Sequence, residues 1–216
     1  MRKLKALGLA MLAVFAMSAV AAQGASAAAS LTAESSPAAL SGSALSPQVF
    51  KLTGLGVESV CQKVGVSGNV TSGSTTITVA PLYEDCKSFG LTSTIDVNGC
   101  HFLFHITGTL TPNVSYDGSA DLTCAAGSNI VITAGIIGNR CEVDVEPQTG
   151  LTTIEGFNKT GTPKDVEIKA NITGIKYTVT KDEGTCPLSK VGETRNDGDY
   201  TGSVTVNSST GLSFSD

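Results

Sequence analysis

From Phe50 onward, apolar and polar residues alternate one for one in short runs. Ile77 and Val79 alternate with Thr76 and Thr78, and Ile95 and Val97 flank Asp96. Val166, Ile168, Ala170 and Ile172 alternate with Glu167, Lys169 and Asn171; Ile175, Tyr177 and Val179 alternate with Lys176, Thr178 and Thr180. A period of two turns one face of an extended segment to a core and the other to water, and β-branched residues favour that pleated setting. About ten to twelve such runs recur, broken by Gly, Asn, Asp and Pro, and no segment follows the helical period. Short strands separated by turn signals predict an all-β fold: an antiparallel β-sandwich of Greek-key or immunoglobulin-like two-layer form. The absence of Trp departs from antibody-type domains, where a Trp packs on the core disulfide. Gly174 is expected at a hairpin turn, and Asn196-Asp197-Gly198-Asp199 at a second tight turn.

The beginning of the chain reads as an address. Arg2, Lys3 and Lys5 precede an uncharged apolar run from Ala6 to Ala22, and Ala25-Ser26-Ala27 fits an A-x-A cleavage site. Residues 1–27 are therefore expected to be a secretory signal peptide. Residues 28–47, rich in Ala, Ser, Pro and Gly, are expected to be a flexible leader. Residues 48–206 form the single expected domain and 207–216 a polar tail. The signal takes three of the fourteen cations and no anion, so the remaining chain carries eleven basic against nineteen acidic side chains, a formal −8. An acidic surface repels phosphate backbones and anionic lipid headgroups, so neither nucleic acid nor, after cleavage, a membrane is an expected partner. At 15% charged residues the chain is also far from a coiled coil or a charged disordered polymer.

All six cysteines, Cys61, Cys86, Cys100, Cys124, Cys141 and Cys186, follow the signal. An even count in an exported chain reads as three disulfides, and without any C-x-x-C a zinc knuckle is disfavoured. Six cysteines allow 15 connectivities. Strand phase narrows them: Cys100 shares a face with Phe102, Phe104 and Ile106, Cys124 with Ala120 and Leu122, and Cys141 with Val143 and Val145. If 100–110 and 119–124 are hairpin partners, Cys100–Cys124 crosses that hairpin and Cys61–Cys86 and Cys141–Cys186 complete a sequential set.

Candidate chemistry is sparse. His101 and His105 are the only histidines. On a strand they share a face but stand about 13 Å apart, too far to grip one metal ion unaided. Glu142, Asp144 and Glu146 line one strand face at steps of about 7 Å, a weak candidate for calcium or an acidic strip, and equally a solvated face. No nucleophile elbow, phosphate loop or dinucleotide fingerprint is present, and no cofactor is expected.

Pro81-Leu82-Tyr83-Glu84-Asp85-Cys86, Asn98-Gly99-Cys100, Gly161-Thr162-Pro163-Lys164-Asp165-Val166, Cys186-Pro187-Leu188 and Gly198-Asp199-Tyr200-Thr201-Gly202 carry a resemblance. Together they resemble a group of secreted six-cysteine, β-rich proteins of high-GC Gram-positive (actinobacterial) type. The resemblance implies export and an extracellular or surface location, and brings no catalytic residues with it. The expectation is a secreted, disulfide-stabilised, non-enzymatic binding or envelope-associated module whose partner is an extracellular protein or a cell-wall component. Two alternatives stand beside it. One is a secreted hydrolase using His101 or His105 with a carboxylate such as Asp96 or Asp121. The other is an inhibitor of extracellular proteases presenting the disulfide-framed segment 86–100.

Overall fold

The computed structural model describes residues 28–161, 164–184, 186 and 190–216; the expected signal peptide, 1–27, lies outside them. Among the described residues there are fourteen strands and one 3-10 turn. The strands are β1 (Ser30–Ala33), β2 (Ala38–Ala44), β3 (Gln48–Leu52), β4 (Val57–Val70), β5 (Thr76–Ser88), β6 (Leu91–Asp96) and β7 (His101–Thr111). They continue with β8 (Ser115–Thr123), β9 (Ile130–Ile136), β10 (Asn139–Val145), β11 (Gln148–Asn158), β12 (Val166–Asp182), β13 (Thr194–Ser208) and β14 (Leu212–Ser215).

Register turns twelve of these strands into eight staves. β2 and β3 lie end to end along β4 on one side and β13 on the other. β6 and β7 lie end to end along β5. β8 and β9 follow one another against β7 and β6, and β10 and β11 follow one another against β12. β4, β5, β12 and β13 run the full length unbroken. Each stave is antiparallel to the next, and the last, β13, pairs with the first, β2–β3, so the hydrogen bonding closes on itself. The expected antiparallel, disulfide-braced sandwich is present in a closed form. Its facing layers are opposite walls of one continuous sheet, joined by nearest-neighbour hairpins rather than Greek-key crossovers. Among the described residues, closure gives every stave of this sheet a neighbour on both sides.

The alternation seen in sequence sorts residues across this wall. Val64, Ile77, Val79, Leu122, Ile132, Val143, Ile168, Ile172 and Val206 are buried inside, while Glu58, Lys63, Thr78, Lys169, Lys176 and Thr180 stand in water. Gly174 does not make a hairpin turn. It lies within β12 at φ 77°, where the pairing with β13 slips between Ile172 and Ile175, and so acts as a bulge. Asn196–Asp199 likewise belongs to β13 instead of a turn, with Gly198 packed against Ile175 and Phe50.

Two further staves break at proline. Pro47 separates β2 from β3, and Pro147 separates β10 from β11. Proline has no N–H to give the ladder, and in both places the glutamine that follows supplies donors instead. Gln48 Nε2 donates to Ser46 O at 2.8 Å and Ser203 O at 3.0 Å. Gln148 Nε2 donates to Glu146 O and Lys176 O, both at 3.1 Å, and its Oε1 accepts from Lys176 N at 2.9 Å.

The segments expected to be a loose leader and a polar tail are ordered. β1 pairs with β14 as a separate two-stranded ribbon that seals one end of the barrel. Leu31, Leu212 and Phe214 are buried there, Phe214 lies 5.0 Å from the Tyr116 ring, and Asn158 clasps the Phe214 backbone in both directions, at 2.7 and 3.0 Å. Alternating Leu31, Ala33, Ala38 and Leu40 carry enough apolar surface for this, although the Ala/Ser composition hides it.

Three disulfides fasten neighbouring staves: Cys61–Cys86, Cys100–Cys124 and Cys141–Cys186, the sequential arrangement. The third closes the longest loop, with a sequence separation of 45. Replacing Cys141 and Cys186 together by Ser is expected to cost roughly 4 kcal/mol by the loop-closure relation. Urea unfolding should show the lowered midpoint, and Cys61→Ser with Cys86→Ser should show a slightly smaller drop.

Candidate functional site

The inward side chains do not fill the barrel completely. Two chambers, each of about 50 Å³, lie one above the other. They share Gln48, Tyr83, Phe102, Ile172 and Tyr200, which form a waist between them. Val64, Val66, Phe104 and Val204 are among the residues lining the chamber nearer the β1–β14 ribbon. The other is lined by Phe50, Ser59, Ile95, Leu122 and Ile132, among others. A third void of about 10 Å³, sharing Phe50, Ser59 and Ile132 with it, continues toward Phe89 at the opposite end. No Asp, Glu, Lys, Arg or His lines the two main chambers among the described residues.

Two polar side chains at the waist, Gln48 and Tyr200, are hydrogen bonded to each other. Both amide protons of Gln48 are committed to carbonyls, which fixes its Oε1 toward the interior. That oxygen accepts from the Tyr200 hydroxyl at 2.6 Å. The Tyr83 side chain lines the same waist beside Tyr200. Burial pushes the Tyr83 phenol up to about 12, opposed by the neighbouring Tyr200, and burial followed by Tyr83 pushes Tyr200 well above the ordinary range. Both remain neutral at physiological pH. A side chain on Gly202 would collide with the Gln48 amide, which explains glycine at that position.

Above the waist the hydroxyls of Ser59, Ser88 and Ser93 are buried and have no hydrogen-bond partner among the described residues. Ser59 faces Ser88 across the β4–β5 ladder, and Ser93 sits opposite Cys86. An unpaired buried hydroxyl costs about 1–3 kcal/mol, so these three represent unmet hydrogen-bonding capacity, and Ser59 and Ser88 border the apolar space.

The residues singled out from sequence lie outside. His101 and His105 are on the outer face of β7, opposite in phase to Phe102 and Phe104. His105 Nε2 lies 3.0 Å from Asp121 Oδ2 on β8, and Gly150 N donates to the other oxygen at 2.8 Å. The Gly150 N–H, then His105, hold the Asp121 carboxyl below its ordinary value. Asp96 instead accepts from Asn98 N at 2.9 Å and stabilises the turn after β6. Glu142, Asp144 and Glu146 project from the β10 stave toward β12 and are occupied by neighbours. Thr180 Oγ1 donates to Asp144 at 3.0 Å, Asn129 Nδ2 donates to it at 3.1 Å, and Lys176 Nζ lies 2.7 Å from Glu146. The Lys176 hydrogen bond is the largest cause of a lowered Glu146 carboxyl. Within 86–100, Leu91–Asp96 is wall, because β6 is hydrogen bonded to β5 and β9 on its two sides, while 89–90 and 97–100 turn the chain. A wider recess outside, lined by Glu58, Gln62, Asp85 and Lys87 among others, is made of solvated side chains on β4 and β5.

Sequence reasoning missed Gln48, Tyr83, Tyr200 and Ser59. Their signal was polarity at positions in phase with buried neighbours: Ser59 falls between Val57 and Cys61, and Tyr83 continues the phase of Val79. The chain matches no protein-family model, no curated protein and no solved structure.

Asp121→Ala is expected to destabilise the protein by about 0.5–1 kcal/mol at neutral pH, because the solvent-accessible Gly150 N–H and His105 ring exchange the carboxylate for water. A lowered carboxyl contributes stability above its unfolded value and loses it as pH falls through its folded one. The gap between wild type and variant, measured by denaturation, should therefore stay constant above about pH 5 and narrow below about pH 4.

Proposed function

We propose that this chain is exported and works outside the cell as a non-enzymatic binding module, taking up a component of the extracellular or cell-wall environment. The observation that carries this reading is the chambered interior: an apolar, uncharged space held open by a closed wall, with a few convergent polar groups. Three disulfides suit an oxidising compartment. The wall is polar outside and apolar inside, the reverse of what lipid imposes on a membrane-spanning barrel, which supports a protein free of the bilayer. The acidic balance disfavours nucleic acid.

A second reading rests on the His105–Asp121 pair, which has the hydrogen-bonded base and orienting carboxylate of a hydrolase. It lacks an assigned nucleophile: no hydroxyl hydrogen-bonds His105 among the described residues, although Thr76 and Ser119 stand opposite it in register.

Purified oxidised protein, cleaved at the expected signal site, should be retained by cell-wall material or by exported proteins and be silent on esters, glycosides and peptides. Turnover that disappears in His105→Ala would replace the binding reading with the hydrolytic one.

A further inference from the structure

Resting on the binding reading, we propose that Phe89 is the stopper of a portal in the barrel wall, through which small uncharged solutes pass between the recess outside β4–β5 and the interior.

Phe89 stands between two spaces. The outer recess is lined by Gly56, Val57, Glu58, Lys87 and Phe89, among others. The inner void of about 10 Å³ is lined by Val57, Ser59, Ser88 and Phe89, among others. Val57 and Phe89 are common to both, so these two side chains form the partition. Val57 is buried and held in register against Leu52 of β3. Phe89 is only half-buried, and it packs on the core from the two-residue turn between β5 and β6. Behind it the Ser59 and Ser88 hydroxyls are buried without a partner among the described residues, so an entering water or small solute meets groups it can satisfy. Ser59 also lines the adjoining chamber, which continues the path inward. The charges of Glu58, Asp85 and Lys87 stay in the recess, and no charged side chain lines the void among the described residues. An ion would therefore lose its hydration at the partition with no countercharge beyond it.

The backbone at Phe89 points to a purpose other than stability. Phe89 and Gly90 have φ 55° and 74°, the signs of a type I′ hairpin turn. That turn favours Asn or Asp at its first central position, because the left-handed conformation crowds a bulky side chain. The chain makes the favoured choice in its next turn, where Asn98 and Gly99 take φ 47° and 74° between β6 and β7. Among the described non-glycine residues at positive φ, Phe89 is the one aromatic. A position that suits Asn thus carries a ring that fills the gap between recess and void. Strain retained at the boundary of a cavity marks a clamp or a gate.

The test places a thiol behind the stopper. Ser59→Cys is made in the full oxidised chain, purified with its three native bridges intact, and labelled with uncharged methyl methanethiosulfonate or its ethylammonium analogue. Relative to their rates on free cysteine, the charged reagent should be at least tenfold slower than the uncharged one. Adding Phe89→Asn should accelerate the uncharged reaction at least tenfold, and Phe89→Leu should fall between. Ile137→Asn, on the neighbouring β9–β10 hairpin, should leave the rate unchanged. Urea midpoints report that each variant is folded. A rate untouched by both Phe89 substitutions in folded protein overturns the portal. Equal acceleration by Ile137→Asn also overturns it, because that reports loosening of the whole rim. Equal relative rates for the two reagents overturn the exclusion of charge. These results are separable from the parent reading: unchanged labelling removes only the portal, whereas hydrolase turnover, or no retention by wall material and exported proteins, removes that reading and leaves the labelling rates as they are.

Discussion

The hydrogen bonds that join β13 to β2 and β3 decide the character of this molecule. Without them the same strands would form a long open sheet whose apolar face needs a separate cover. With them the sheet covers itself, so the core, the polar exterior and the chambers all follow from one closure. Eight staves give an interior about wide enough for side chains to fill, or to leave space for one small ligand. Here the aromatic and branched residues at the waist leave a little over.

The waist is also where the wall is least regular. Pro47 and Pro147 interrupt two staves, Gly174 bulges a third, and 97–100 and 124–129 interrupt two more. Each interruption removes ladder hydrogen bonds, and the structure answers with side chains, most visibly the amides of Gln48 and Gln148. Gln48 therefore serves two roles at once: its Nε2 repairs the wall and its Oε1 orients Tyr200 inside. A polar residue that mends the backbone is a rigid support for a binding group, because its rotamer is fixed by contacts unrelated to the ligand.

Alternation was legible in sequence because burial enforces it residue by residue. Cys100, Phe102 and Phe104 point inward and His101 and His105 outward, as their phase requires. What could not be read were events that leave phase intact or depend on distant partners. Gly174 looks the same in a bulge as in a turn until β13 is known to run past it. The leader and tail were hidden because Leu31 and Phe214 become core residues only by meeting each other across 183 positions of chain. Nothing local marks two ends that pair. The interior site was missed for a related reason: a Tyr or Ser in phase with Val reads as one more wall residue, and only closure shows that several of them face a common space.

The order of the sulfur bridges has a consequence for how such a chain is made. Each cysteine bonds to the next one along, 25, 24 and 45 residues apart, so no bridge straddles another. For a polypeptide threaded N-terminus first through a narrow pore into an oxidising space, the first thiol to arrive finds its correct mate in the next thiol to arrive. Vectorial delivery then favours the right partner by timing alone, and little reshuffling is needed before β13 emerges to complete the circle.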